Sequence, residues 1–210
     1  MGELSRAVEA LRRPEECEPL DDFPYAVSSR SRYRAHHKDF GPWWFASVPA
    51  TPTAGGRFDL IDPSGTCYVA DSVEAAVRER LGPRAGGLRW LPDGPLLADT
   101  AVSALAAAAR PRRGRLANVT HDRASGWVTR EINTSANYEL TQEWAAAFEE
   151  VGFAGVRYEP RFSTGASSAE AWFGPAGAHA LPADEVVDWR DHLPSRPVAS
   201  IRVRRAKIVD

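Results

Sequence analysis

The sequence predicts an α+β fold. Short β-prone segments such as 66–70 and 153–158 are mixed with helical segments, of which 138–151 is the clearest because its apolar residues recur at helical spacing. Strand and helix do not alternate regularly, which argues against a doubly wound parallel sheet. A chain of 210 residues is long enough for one domain with its own core, with or without extensions.

The strongest local signals lie between residues 57 and 82. Residues 62–65 have turn chemistry, since Pro63 sets φ and Gly65 tolerates positive φ. Residues 66–70 predict a strand. Ser72 then predicts the N-cap of a helix that ends near residue 81, because Gly-Pro follows.

The predicted helix after Ser72 has two different sides. One side is an apolar stripe formed by Val73, Val77 and Leu81. The other side carries small residues around Glu79, so that a ligand can approach this carboxylate closely: Ser72, Ala75 and Ala76. Glu74 and Arg78 have the spacing of an ion pair.

The other elements follow from the same signals of periodicity and chain breakers. Before residue 57 we expect a helix at 3–13, a strand at 31–36 and a long loop at 41–56 that holds Trp43, Trp44 and Phe45. After residue 82 we expect irregular chain at 84–93, a strand at 96–99, a helix at 101–109, strands at 116–120, 153–158 and 169–174 around the helix 138–151, mostly loop at 175–196, and a last strand at 198–209.

The composition excludes several classes of protein. The net charge of −2 gives no electrostatic case for nucleic acid binding, and the Arg-rich segments are local. No stretch approaches the roughly 20 apolar residues that span a bilayer, and the first residues lack the apolar core of a signal peptide. Cys17 and Cys67 are the only cysteines, which favours reduced thiols in a cytoplasm. His36 and His37 have no metal-binding spacing with another ligand, and no phosphate-binding glycine motif is present.

The order of the motifs resembles a known family. The matching segments are Tyr33-Arg34-Ala35-His36, Trp44-Phe45, Arg57-Phe58-Asp59, Tyr68, Glu79, and residues 129–132, 138–144 and 155–158. Over residues 33–177 the chain resembles the RES domain, a bacterial family named for its Arg, Glu and Ser. The resemblance implies an ADP-ribosyltransferase-like core of short mixed or antiparallel strands with flanking helices. We therefore expect an N-terminal extension at 1–30, a RES-like catalytic domain at 31–178, and a C-terminal extension at 179–210 that packs as an added strand.

The resemblance implies roles for four residues of this chain, with NAD as the substrate, and the lack of a metal-binding spacing predicts no metal. Arg34 is expected to clamp phosphate, which a guanidinium binds with two parallel hydrogen bonds. Tyr68 is expected to stack on the nicotinamide or to bond the ribose. The Glu79 carboxylate is expected to stabilise the positive charge that develops on the sugar. Arg57 either assists at the site or forms a salt bridge with a neighbouring aspartate.

The family serine is replaced in this chain. Aligned on residues 155–161, Pro160 takes the place of that serine, and proline offers no hydroxyl and no N–H. Ser163 lies three residues further on, and Ser167 and Ser168 lie in a polar loop, so that a displaced hydroxyl can substitute; Ser163 is the one assigned to the NAD site. The alternative is that this branch of the family works without the serine or is impaired.

Three functions remain open at this stage. The first is an NAD-consuming RES-type enzyme that cleaves the nicotinamide–ribose bond with water or phosphate as the acceptor. Such family members are toxins that a cognate antitoxin holds, often in a multimeric complex, so an antitoxin and a homo-oligomer are the expected protein partners. The second is a mono-ADP-ribosyltransferase that modifies a protein. The third is a non-catalytic module that binds a nucleotide or a protein. The Trp43–Phe45 cluster either walls a nucleotide pocket or packs in the core.

Overall fold

An eight-stranded mixed sheet forms the centre of the structure, and the α+β prediction is confirmed. The computed structural model describes residues 11–49, 55–82, 98–163, 165–183 and 185–192. The strands are β1 (Tyr25–Val27), β2 (Arg32–His37), β3 (Trp44–Phe45), β4 (Ser47–Val48), β5 (Leu60–Ile61), β6 (Ser64–Ala70), β7 (Thr100–Leu105), β8 (Arg115–Asn118), β9 (Gly155–Tyr158), β10 (Ala169–Pro175), β11 (Gly177–Ala178) and β12 (Glu185–Val187). The α-helices are α1 (Val73–Leu81), α2 (Glu131–Thr134) and α3 (Tyr138–Glu150).

The strands of the main sheet follow the order β1-β8-β9-β10-β6-β2-β7-β12. Only β8 and β9 pair in parallel, and the other neighbours are antiparallel. β10 is paired with β6 along the full length of both strands, and β2 is paired with β7 in the same way. Two small two-stranded sheets, β3 with β11 and β4 with β5, flank the main sheet.

The junction between β2 and β6 is the weakest lateral contact in this part of the sheet. The two strands share a single registered pair, Tyr33 with Ala70. Because no further pair follows, the strands separate beyond this point. The separation leaves a gap in the sheet that side chains from both strands can enter.

Helix α1 begins and ends where the sequence predicts. The Ser72 hydroxyl accepts a hydrogen bond from the Ala75 N–H at 3.1 Å, and Gly82 ends the helix with a φ of 56°. Val73, Val77 and Leu81 are buried against β7 and Trp189. The predicted pair of Arg78 with Glu74 is present at 2.8 Å. The apolar stripe therefore fixes the rotation of α1 and turns Glu79 toward the sheet.

Helix α3 packs its apolar face into the main core. The Asn137 side chain caps its first turn by accepting from the Leu140 N–H, and Gly152 follows the helix with a φ of 89°. Trp144 and Phe148 are fully buried and pack with Phe23, Phe58 and Phe153. This packing fixes α3 against the segment that leads into β5.

A buried ion cluster connects three strands on the other side of the sheet. Glu170 of β10 is 0% exposed. One of its oxygens accepts from Arg32 of β2 at 2.7 Å and from Arg157 of β9 at 2.6 Å, and the other accepts from the Trp172 indole at 2.7 Å. Burial raises the pKa of Glu170, but the hydrogen bonds and the positive charges outweigh burial, so that its pKa lies below the ordinary value. The carboxylate is thus fully paired.

The alanine-rich segment at 101–109 is a correction. Its composition predicts a helix, but Thr100–Leu105 form strand β7, and only Ala107–Ala109 form a short 3-10 turn. Val102 is fully buried against α1, and Leu105 is fully buried in a second cluster with Val69 and Trp172. Packing in the sheet between β2 and β12 therefore overrides the helix propensity of alanine.

Gly65 also differs from its predicted role. It lies inside β6 and needs no positive φ. A Cβ at this position would lie 2.9 Å from the Phe45 carbonyl oxygen. Close approach of a neighbouring backbone is therefore what requires glycine here.

The described parts of both predicted extensions pack on the sheet. Leu11, Leu20 and Phe23 are buried in the main core, and the Trp144 indole donates to the Arg12 carbonyl at 2.9 Å. Strand β12 adds to the β7 edge, upstream of the strand expected at 198–209. That expected strand, most of the helix at 3–13 and the irregular segment at 84–93 lie outside the described residues, and the division into a domain and two extensions stays a prediction.

We expect Gly155→Ala to destabilise the fold by about 2–4 kcal/mol. Gly155 has a φ of 152°, and a Cβ there would lie 2.2 Å from the Ala171 carbonyl oxygen across the β9–β10 pair. Urea denaturation measures the free energy of unfolding. The control is Gly126→Ala, where no atom lies within 4 Å of the new Cβ. A Gly155→Ala protein as stable as this control would contradict the close backbone approach.

Candidate active site

The gap between β2 and β6 opens into a cavity of about 290 Å³. Each strand contributes three consecutive residues to its wall, residues 33–35 from β2 and residues 68–70 from β6. Consecutive residues of a strand point to opposite faces of a sheet, so both faces border the cavity only because the strands have separated. The rest of the wall comes from α1, from the start of α3 and from two further segments, and its residues are Ala76, Glu79, Arg80, Gly56, Arg57, Tyr138, Tyr158, Arg161 and Phe162.

The cavity brings together four of the five residues that the sequence predicts for the site. Arg34, Arg57, Tyr68 and Glu79 all line it, although up to 45 residues separate them in the chain. Ser163 does not line it. The roles of these five residues in catalysis and binding stay predictions.

Arg34 lies on the buried side of β2. Its backbone pairs with Ser103 of β7, and its side chain crosses the gap so that Nη1 contacts the Cys67 Sγ on β6. The Cys67 thiol is fully buried, and burial raises its pKa. The Arg34 guanidinium is therefore held between the two strands, where it borders the cavity.

Glu79 stands on the last turn of α1 with its carboxylate toward the cavity. Its Oε1 accepts the Phe162 backbone N–H at 2.6 Å. Burial raises the pKa of Glu79, while the N–H groups of Phe162 and Arg161 and the charge of Arg57 partly oppose this effect. The carboxylate is thus oriented by the chain and only partly desolvated.

Tyr68 of β6 uses its hydroxyl within the protein. The hydroxyl donates to Asp59 Oδ1 at 2.7 Å and accepts the Phe58 N–H at 2.8 Å. Burial and the charge of Asp59 raise the pKa of Tyr68 well above its ordinary value. Because the hydroxyl proton is already donated, the part of Tyr68 that is free to meet a ligand is its ring.

Arg57 is anchored by backbone carbonyls rather than by an aspartate. Its Nη1 donates to the carbonyls of Ile132 at 3.3 Å and Ser135 at 3.0 Å, and the guanidinium lies over the Tyr138 ring at 5.2 Å. Burial lowers the pKa of Arg57. Arg57 forms no salt bridge with Asp59 or Asp62 among the contacts of the described residues, so this alternative role is not observed.

The charge of the wall is strongly positive. Two further arginines line it beside Arg34 and Arg57, namely Arg80 and Arg161. Arg80 follows Glu79 in α1 and donates through Nε to the Thr100 hydroxyl at 2.9 Å. Sequence reasoning missed both, although Arg80 adjoins Glu79 in sequence and Arg161 follows the 155–158 motif. Four guanidinium groups and one carboxylate suit a ligand that carries several negative charges.

Aromatic rings beyond Tyr68 also line the cavity. They are Tyr33, Tyr138, Tyr158 and Phe162. The cluster of Trp43, Trp44 and Phe45 does not line the cavity. Trp43 stacks on Trp172 with ring centroids 5.9 Å apart, Phe45 is buried, and Trp44 is exposed. Core packing is thus the role of Trp43 and Phe45.

Pro160 and Ser163 flank the cavity wall without joining it. Pro160 is buried between Tyr158 and Arg161, which both line the cavity. The Ser163 hydroxyl is buried and has no hydrogen-bond partner among the described residues. Neither residue places a hydroxyl at the cavity in this structure.

The described ranges 11–49, 55–82, 98–163, 165–183 and 185–192 hold neither a metal site nor a membrane-spanning helix. No group of three or more His, Cys, Asp and Glu side chains could hold a metal ion. Helices of the length and apolarity required to cross a membrane were not found in these ranges.

A solved structure shows the same fold. The chain is similar to a chain of the crystal structure of the M. tuberculosis MbcT–MbcA toxin–antitoxin complex, with a TM-score of 0.53 and 13% sequence identity. The match covers 80% of this chain and 90% of the other. A search of the curated proteins finds no match.

The family comparison covers the cavity and its surroundings. A model of the RES domain matches residues 31–194, a range that includes all of β2, β6, α1 and α3. This is most of the 210 residues, and it contains every residue that lines the cavity. The chain therefore belongs to the RES domain family.

Proposed function

We propose that this protein is an NAD-consuming enzyme of the RES type, which cleaves the bond between nicotinamide and ribose and transfers the ribose carbon to water or phosphate. The observation that carries the proposal is the cavity at the β2–β6 gap, where one oriented carboxylate, Glu79, stands among four arginines. NAD combines two negatively charged phosphates with a positively charged nicotinamide. The arginines of this wall can bind the phosphates, and the Glu79 carboxylate can lie beside the positive charge.

Binding is assigned first to the arginines. Arg34 is fixed across the gap by Cys67, so its guanidinium meets a phosphate with little loss of side-chain entropy. Arg57 is held by two carbonyls and keeps further N–H donors for the ligand. Tyr68 offers a ring against which the nicotinamide can stack.

Bond cleavage is assigned to Glu79. When the nicotinamide–ribose bond breaks, its electron pair moves to the nicotinamide nitrogen, and positive charge develops on the ribose carbon. A carboxylate beside that carbon stabilises this charge most strongly in the transition state, and partial burial strengthens the effect. An oxygen of water or phosphate then forms the new bond to the ribose carbon, and any proton it loses passes to solvent.

The biological role we propose is that of a toxin in a toxin–antitoxin pair. Membership of the RES family and the similarity to a chain of the MbcT–MbcA complex support it. The antitoxin would then cover the opening of the cavity and prevent NAD from entering.

Incubation of the protein with NAD, with and without phosphate, distinguishes the proposal from its alternatives. Free nicotinamide with ADP-ribose, or with its phosphate ester, supports the proposal. Transfer of labelled ADP-ribose from NAD to a protein would indicate a mono-ADP-ribosyltransferase. Intact NAD together with binding heat in calorimetry would indicate a binding module.

Glu79→Gln should lower nicotinamide release roughly a hundredfold or more while NAD still binds. The amide keeps the shape and can still accept the Phe162 N–H, but it removes the charge. The matched control is Glu74→Gln, the same change on the exposed side of the same helix, which should keep the wild-type rate. A Glu79→Gln protein that works at the wild-type rate would end the assignment of Glu79.

Glu79→Gln should also change how stability depends on pH. The folded-state pKa of Glu79 is raised above its ordinary value of 4.5, so between these two pKa values the folded state holds more protons than the unfolded chain. The free energy of unfolding contributed by this group therefore falls as the pH rises above 4.5. The variant lacks this loss, so its stability relative to the wild type should increase with pH. A difference that stays constant in urea denaturation from acid to neutral pH would contradict the burial of this carboxylate.

Ser163→Ala should leave NAD turnover unchanged. The Ser163 hydroxyl does not line the cavity, so its removal takes no group away from the substrate. Nicotinamide release by the variant is the measurement, with a thermal melt to confirm folding. A marked loss of turnover in a folded Ser163→Ala protein would show that the hydroxyl reaches the substrate after a rearrangement.

A further inference from the structure

Asp59 is a buried carboxylate immediately behind the cavity wall. The residue is 3% exposed and does not line the cavity. Each of its oxygens accepts one hydrogen bond, Oδ1 from the Tyr68 hydroxyl at 2.7 Å and Oδ2 from the Gly56 N–H at 2.6 Å. Both donors belong to residues that line the cavity. A carboxylate in such a place is costly to bury, and the two short hydrogen bonds offset the cost.

We propose that Asp59 is a positioning residue for the reaction: it holds Tyr68 by its hydroxyl, so that the ring of Tyr68, and not the hydroxyl, meets the substrate. This inference rests on the proposed function and adds a specific role for a residue that does not touch the substrate. It also chooses between the two roles that the sequence left open for Tyr68.

The hydroxyl of Tyr68 has little capacity left for a ligand. Its proton goes to Asp59, and one lone pair accepts the Phe58 N–H. Gly56 also lies close to the hydroxyl, because a Cβ on Gly56 would lie 2.6 Å from the Tyr68 oxygen. A substrate ribose would have to break the bond to Asp59 before it could accept the proton.

The surrounding segment is held without Asp59, so its replacement should still give a folded protein. The Gln142 side chain of α3 donates to the Gly56 carbonyl at 2.9 Å, and the Thr141 hydroxyl donates to the Arg57 carbonyl at 2.6 Å. The particular contribution of Asp59 is thus the orientation of Tyr68 and of the Gly56 N–H.

Replacement of Asp59 by Asn gives a defined defect. The amide offers one acceptor oxygen where the carboxylate offers two, so either the Tyr68 O–H or the Gly56 N–H loses its partner. Tyr68→Phe breaks the same hydrogen bond from the other side. The effects of the two substitutions should therefore not add when they are combined.

The test compares wild type, Asp59→Asn, Tyr68→Phe and the double variant in NAD affinity, kcat and KM. We expect Asp59→Asn to raise KM about tenfold, and Tyr68→Phe to raise it to a similar extent, because each variant loses the hydrogen bond that positions the ring. The double variant should be no more impaired than either single variant. Asp71→Asn is the matched control. Asp71 directly follows β6, the strand that contains Tyr68, and it accepts two hydrogen bonds from Ser168, but it does not line the cavity. This control should keep the wild-type KM.

Three results would overturn the inference. A double variant in which the two increases in KM multiply would show that Asp59 does not act through the Tyr68 hydroxyl. A loss of turnover in Tyr68→Phe as large as in Glu79→Gln would show that the hydroxyl itself serves the reaction. A wild-type KM in Asp59→Asn would show that the orientation does not matter.

The same four proteins are compared in free energy of unfolding, which needs no NAD. Coupling between the two substitutions is expected in this cycle. If the wild type releases no nicotinamide but the coupling is present, the proposed function fails and the pairing of Asp59 with Tyr68 stands. If the wild type is active and the coupling is absent, the proposed function stands and the positioning by Asp59 is overturned.

Discussion

The single registered pair between β2 and β6 is the constraint on which the arrangement depends. Each strand is fully paired on its other side, β2 with β7 and β6 with β10, so neither strand can move to close the gap. A side chain that crosses this gap is held from both walls, as Arg34 is by Cys67. The cavity is thus a consequence of strand pairing, and the loops around it add residues to walls that already exist.

The electrostatics of the cavity follow from its place inside the sheet. Burial lowers the pKa of Arg57 and raises that of Glu79, since both charges are taken from water. The protein orients them with backbone groups, two carbonyls for Arg57 and the Phe162 N–H for Glu79. Backbone dipoles held by the fold do not have to reorganise when charge moves in a bound ligand.

Local sequence signals predicted the part of the site that local structure determines. Ser72 and Gly82 define α1, the apolar stripe fixes its rotation, and Glu79 faces the cavity as a result. The segment 101–109 could not be read in this way, because burial between strands decides its conformation. The hydrogen bond of Tyr68 with Asp59 joins residues that are nine positions apart and separated by a turn. No periodicity in the sequence predicts it.

The ion cluster around Glu170 gives the cavity a second kind of dependence. Arg32 lies on β2, two residues before Arg34, and its bond to Glu170 connects β2 to β10 past the strand that lies between them. Loss of any one member would leave a charge buried without its full set of partners, which costs more than any single contact provides. Positions 32, 157 and 170 should therefore change together or not at all among relatives of this chain. These three residues, and with them the width of the gap, would then be kept together in evolution, independently of the residues that line the gap.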